Sequence, residues 1–260
     1  ISNFAHAEQV GLGGVLAYGL VNVAGLNLWL GGLIVVAICA FTGWTQDRLM
    51  WQPLRHRGLG LIQLMIVTIG LSLALQYAFQ VFIGARTVRV VTETPSTVSV
   101  GPIATTTQSL VAMGIAVIML SAVGYVLLRT RIGRATRAVS DNPALASASG
   151  IDVDKVIRLV WTVAMGLAGL SGVMYALVTN GIKWDSGLQI LLLLFAAVTL
   201  GGFGTAFGAL VGALVIGLVV EFSPVVGIPG DLKYATALVM LILILLVRPQ
   251  GLLGRPERVG

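Results

Sequence analysis

The chain has 260 residues, 57% of them hydrophobic and 10% charged, and its mean hydropathy is +0.98. That composition excludes a water-soluble domain and a disordered chain. The formal net charge of +6 does not indicate nucleic acid as a partner, because most basic residues fall between apolar runs, where they set membrane orientation.

A helix needs roughly 20 apolar residues to cross a hydrocarbon core. Runs near that length predict about eight visible spans, at 9–24, 26–43, 60–83, 107–128, 157–179, 187–201, 205–222 and 233–247. The uninterrupted stretches Leu188 to Leu200 and Ala235 to Val247 lack the alternation of a transmembrane barrel strand. The fold class is therefore all-α, a polytopic membrane helical bundle forming a single transmembrane domain over 1–260. Every loop is short, the longest being the opening stretch and 84–106, so no soluble domain separates. The chain opens on Ile1 without a basic n-region or cleavage site, which suggests upstream residues.

Alternating sides across these spans groups Arg48, Arg55 and Arg57 in the 44–60 loop with Arg129, Arg131, Arg134, Arg137 and Lys155 in the 129–156 loop and Arg248, Arg255 and Arg258 in the tail. Positive-inside bias makes that side cytoplasmic. Arg86, Arg89, Lys183 and Lys233 fall on the other side, each near an acidic residue.

Ala164, Ala168, Gly172 and Ala176 form one small-residue stripe, and Gly204, Gly208 and Gly212 another. Both read as packing seams, since close backbone approach drives helix association in lipid. Cys39, the single cysteine, sits in an apolar run and reads as buried packing.

The most polar passage is RTRIGRATRAVSDNPALASASGIDVDK, residues 129–155. Arg134 to Ser140 forms a turn or two of helix; Asn142 offers an N-cap to a short helix at 143–149, Pro143 takes its first position and Gly150 a left-handed stop. Asp152 caps the next helix, and Asp154 suits its positive end. Two readings stand on these residues alone: a basic loop anchored at lipid headgroups, or a docking element whose small side chains, Ala144 and Ala146 among them, let a cytoplasmic partner approach the backbone.

The same passage, followed by AMGLAGLSGVMYAL, resembles the cytoplasmic coupling region of permeases in branched-chain amino-acid ABC importers. NFAHAE at Asn3 to Glu8 is similar to the early N-F-A-H-G-E motif of that family, LVRPQGLLG at Leu246 to Gly254 to its closing motif, and GGFGTAFGALVGALVIGLVVE from Gly201 to Glu221 to its late Gly-rich segment. Ala7 stands where the family has glycine, and NGIKWDSGLQILLLLFAAV is less like the branched-chain group. The resemblance implies a type II ABC importer-like permease of the bacterial plasma (inner) membrane, with a further helix ahead of Ile1. It implies import of branched-chain or other hydrophobic amino acids, with urea or short amides, carried by relatives, as the alternative. It also implies three kinds of partner: ABC ATPase subunits, a second permease subunit, identical or homologous, and a periplasmic or extracellular substrate-binding protein. Arg134, Arg137, Asp141, Asn142, Pro143, Ala144, Ala146 and Gly150 would then couple to the ATPase.

No GxxxxGK[ST] occurs, so the chain has no P-loop. No cofactor is expected on this chain; ATP and magnesium belong to the ATPase subunits. The interiors of 60–83, 107–128 and 157–179 hold no acidic residue, which disfavours an ion-coupled secondary transporter. No HExxH or other catalytic constellation is found, and the two histidines, His6 and His56, stand alone, His56 as a solvated residue of a basic loop. Neither an enzyme nor a metal site is expected. Candidates for the translocation path are Asn3, His6, Glu8, Gly201, Gly202 and Gly204, with a structural role for His6 and Glu8, bracing an irregular segment, as the favoured reading. Gln63, Gln76 and Gln80 do not share one helix face.

Overall fold

The computed structural model describes residues 3–90, 97–100, 103–202, 206–229, 232–248 and 250–253. The chain forms two compact units, residues 1–187 and 188–260.

The first unit opens with α1 (His6–Tyr18), prolonged by a π segment, Gly19–Val23. Next come α2 (Leu28–Gln46), a second π segment (Asp47–Trp51) and α3 (Gln52–His56), which together run as one apolar helix. After α4 (Leu61–Ile83), a small antiparallel hairpin pairs β1 (Thr97–Val100) with β2 (Ile103–Thr106). Then follow α5 (Thr107–Arg129), α6 (Arg131–Asp141), α7 (Pro143–Ala148) and α8 (Val153–Val178).

Helix α8 is the hub. Gly169 and Gly172 face Gly13, Val10 and Gly14 of α1, while Gly169 also meets Cys39 of α2, and Gly43 of α2 lies against Trp161 and Met165. A β-carbon on Gly172 would collide with the Val10 carbonyl. The small-residue seam read from Ala164 to Ala176 is thus the α1–α8 contact, with Ala168 and Ala176 buried. Apolar groups gain little from leaving lipid, so the energy of this contact comes from close van der Waals packing. Cys39 is buried between α2 and α8, as expected.

The second unit contains most of α9 (Ser186–Gly201), α10 (Ala206–Phe222), a 3₁₀ turn (Ser223–Val226) and α11 (Lys233–Val247). Its core joins Ala196, Ala197, Leu200, Ile216, Val220 and Ala237. Gly208 meets Gly201 and Gly212 meets Ala197 with no room for a β-carbon on Gly201 or Gly212. Gly204, the remaining member of that expected seam, lies outside the described residues.

Two expectations change. The 44–60 segment is largely helical: Arg48 lies in the π segment with its guanidinium over the Trp44 ring, and Arg55 lies in α3. Asp47, Arg55 and His56, which read as loop residues, find partners on α8 instead. Pro53 sits in the first turn of α3, directly after the widened π turn. The 84–106 loop contains the hairpin, whose β-branched Thr97, Val98, Ile103, Thr105 and Thr106 favour extended backbone. Four-residue strands are too short for periodicity to reveal them.

Among the described residues, five helical stretches are long and apolar enough to cross a membrane: Leu28–His56, Leu61–Ile83, Thr107–Arg129, Val153–Val178 and Gly208–Val226. Ser186–Gly201 and Tyr234–Val247 are shorter apolar helices. With α1 and its π continuation, these occupy the positions of all the spans read from the sequence.

Candidate functional site

The polar passage between α5 and α8 is folded throughout. Thr130 ends α5 and caps α6, its Oγ1 accepting the Gly133 N–H at 3.1 Å. Asn142 Oδ1 accepts the Leu145 N–H at 3.0 Å, with Pro143 in the first turn of α7. The α7 end is closed by the Ile151 N–H, which donates to the Ala146 carbonyl at 3.0 Å, and by Gly150 at φ +83°. Asp152 Oδ1 then accepts the Lys155 N–H at 3.0 Å and starts α8. Each cap follows from a side-chain oxygen satisfying an orphan N–H of a first turn.

The faces of these two short helices are distinct. Arg131, Arg134, Arg137 and Asp141 are exposed on α6, as are Asn142, Pro143, Ala144 and Gly150 beyond it. Gly133 and Val139 are turned inward. On α7, Ala146 is buried and braces the helix from beneath, while Leu145 presents its side chain outward at 64% exposure. Small-residue composition alone pointed to Ala146; the exposed apolar knob is its neighbour, and the side each faces is set by packing of α7 on α6 and α8.

Among the path candidates, Asn3, His6 and Glu8 lie together at the start of α1. Asn3 Oδ1 accepts the Ala5 N–H at 3.1 Å, and the His6 N–H donates to the Asn3 carbonyl at 3.2 Å. Glu8 is fully buried; Ser72 Oγ of α4 donates to its Oε1 at 3.3 Å, and its carboxylate fills the space beside Gly187 where a β-carbon would stand. Next to it, Thr42 Oγ1 of α2 donates to Gln9 Oε1 at 2.9 Å. Thr68, Ser72 and Gln76 form a buried polar stripe on α4, whereas the Gln63 Oε1 accepts the Gly60 N–H at 2.6 Å and helps start that helix.

In the second unit, Gly201 ends α9 and Gly202 takes φ +102°. The closing segment folds back here: the Leu252 N–H donates to the Leu200 carbonyl at 2.7 Å and the Leu253 N–H to the Gly201 carbonyl at 3.0 Å, enabled by Gly251 at φ +74°. The closing motif thus seals the end of α9. This tie links two segments that the sequence reading treated separately.

A groove of about 300 Å³ between α2, α5 and α8 is lined by apolar groups, including Leu28, Trp29, Val36, Ile115 and Met174. It lacks the convergent polar groups that orient a polar solute. Among the described residues, no cluster of His, Cys, Asp and Glu has the makings of a metal site.

The comparisons with known proteins agree with this architecture. A family model described as "Branched-chain amino acid transport system / permease component" matches residues 1–245. The chain is 30% identical to the high-affinity branched-chain amino acid transport system permease protein LivH of Escherichia coli K12, covering 98% of this chain and 86% of that one. It is 29% identical to the corresponding permease protein BraD of Pseudomonas aeruginosa, again over 98% and 86%. It is 28% identical to a probable branched-chain amino acid transport permease protein LivH of Methanocaldococcus jannaschii, over 98% and 83%. No solved structure matches. With the helical bundle, the apolar spans and the family match over nearly the whole length, the chain belongs to the branched-chain amino acid transport permease family and is a multi-pass transport subunit of the plasma (inner) membrane.

Proposed function

We propose that this chain is one permease half of an ATP-driven importer for branched-chain or other hydrophobic amino acids. A binding protein delivers the cargo on the outer face, ATP and magnesium act on separate ATPase subunits at the cytoplasmic face, and an identical or homologous permease completes the path. The observation that carries this reading is α7: a short helix capped by Asn142, braced by buried Ala146 and displaying Leu145. It has the form of a knob for a partner's groove, and the exposed Arg134 and Arg137 of α6 flank it. Closure of the ATPase pair then displaces α6 and α7 and rocks the bundle between outward-facing and inward-facing states. In the membrane the path draws on the polar groups at the start of α1, Asn3, His6 and Glu8. The names of the similar proteins, branched-chain amino acid transport permeases, support a branched-chain cargo over urea or a short amide.

The test is copurification of the ATPase subunits with this chain from its native membrane. Leu145→Asp is expected to reduce ATPase recovery at least tenfold, with unchanged yield and thermal stability of the permease. Full recovery of the ATPase with that variant, or none with the wild type, rejects docking at α7. Uptake of leucine against urea and acetamide by the reconstituted importer decides the cargo.

A further inference from the structure

Asp47 takes no part in the site described above, yet it is a fully buried carboxylate at the first residue of the π segment that prolongs α2. Its Oδ1 accepts from Arg55 Nη1 of α3 at 2.8 Å, and its Oδ2 lies 3.6 Å from Arg158 Nε of α8. Arg55 reaches on to Asp154 of α8, Nη2 to Oδ1 at 3.6 Å, and Asp154 Oδ2 lies 3.0 Å from His56 Nε2. Arg158 Nη2 donates to Gln52 Oε1 at 2.6 Å. His56, expected to be solvated in a basic loop, is therefore an edge member of this cluster. Trp51, fully buried, stacks on Trp161 of α8 with ring centroids 5.3 Å apart.

The cluster joins the cytoplasmic end of α2 and α3 to the first turns of α8. Those first turns follow α7 after only Ser149 to Asp152, a link held by the Ile151 and Lys155 backbone bonds. Any displacement of α7 reaches Asp154 and Arg158 within two helical turns. Two carboxylates and two guanidiniums balance in formal charge, and the two 3.6 Å pairs lie beyond hydrogen-bond distance while the 2.8 Å pair lies within it. Asp47 and Arg55 belong to one helical stretch, so their 2.8 Å pair stays closed when α8 moves, while the two 3.6 Å pairs, Arg158 to Asp47 and Asp154 to Arg55, both reach across to α8 and tighten or open with its position. The π segment supplies compliance on the α2 side, since a widened turn is where a helix changes register most readily.

We infer that Asp47 is a positioning residue of energy coupling, through which Arg158 and Asp154 hand the movement of α7 and α8 to α2. This rests on the reading that α7 docks an ATPase. The importer is reconstituted in liposomes as a full complex with its binding protein, and radiolabelled leucine uptake is measured beside ATP hydrolysis. Asp47→Asn is expected to leave ATPase assembly and basal hydrolysis intact while leucine moved per ATP falls at least tenfold. Arg158→Gln should do the same, and the double variant should be no worse than either single one, because one joint is being broken. Asp154→Asn, at the half-exposed edge, should lower the ratio severalfold even where a buried variant fails to fold. A wild-type ratio of leucine to ATP in the folded variants, with only yield or thermal stability reduced, overturns the proposal and leaves a structural pin. Absence of the ATPase from the wild-type complex, or of leucine uptake by it, would instead reject the underlying reading.

Discussion

Glu8 shows how much one residue's setting depends on contacts far along the chain. Its position in the early motif is visible in the sequence, but its burial against Ser72 and Gly187 joins segments 64 and more residues away. Gly187 is small because the carboxylate occupies the place of its side chain. Gly187→Ala is therefore expected to destabilise the permease by about 1–3 kcal/mol, the usual range for overpacking a tight contact, read as an earlier thermal unfolding midpoint in detergent. Glu8→Gln keeps the shape and should keep most of the stability; a loss as large as that of Gly187→Ala would mean that charge, not fit, governs the contact. Asp47, five residues beyond the Thr42 that bonds to Gln9, makes the same point. In the sequence it is one acidic residue among arginines, and only the fold brings Arg158 to it.

At the scale of elements, α7 and the start of α8 were legible because their signals are local: Asn142 and Asp152 each cap a first turn within three residues, and Gly150 supplies a positive φ. Helix α6 is longer than the turn or two read from Arg134 to Ser140, because Thr130 caps it and starts it at Arg131. Asp152 carries a pH dependence. The hydrogen bond from the Lys155 N–H, then that from its side chain and the positive charges of Lys155 and Arg158, hold the Asp152 carboxyl below its ordinary value of 3.8. A carboxyl depressed on folding stabilises the fold above its unfolded value and loses that contribution as pH falls through the folded one. Asp152→Asn keeps the cap without the charge. Wild type is expected to be the more stable at neutral pH, with the difference beginning to shrink near pH 4 and vanishing only as pH falls through the lowered folded value, as followed by thermal unfolding across that range. A pH-independent difference would contradict the assignment. The extension of α2 through Trp51 to His56 was not legible, because charged residues in a row read as solvated until their partners on α8 are known.

For the whole molecule, membrane sidedness is read from charge: across alternating spans the sequence collects arginines in the 44–60 and 129–156 segments, while the segments assigned to the outer side carry few. Because Cys39 is buried, a new exposed cysteine can be labelled against a silent background. Ser147→Cys is expected to react with a membrane-impermeant maleimide only from the cytoplasmic side, and Asn180→Cys only from the outside. The reverse pattern would invert the topology. The sequence by itself determined the membrane class, the positions of the apolar helices, the charge asymmetry between segments and the capped passage between α5 and α8, because hydrophobic length, charge and capping are properties of neighbouring residues. Tertiary structure alone decided that Leu145 rather than Ala146 faces outward, that the tail seals α9, and that Asp47 binds α2 to α8. Each of these depends on which distant segments pack together, and burial of a polar or apolar side chain is a property of that packing.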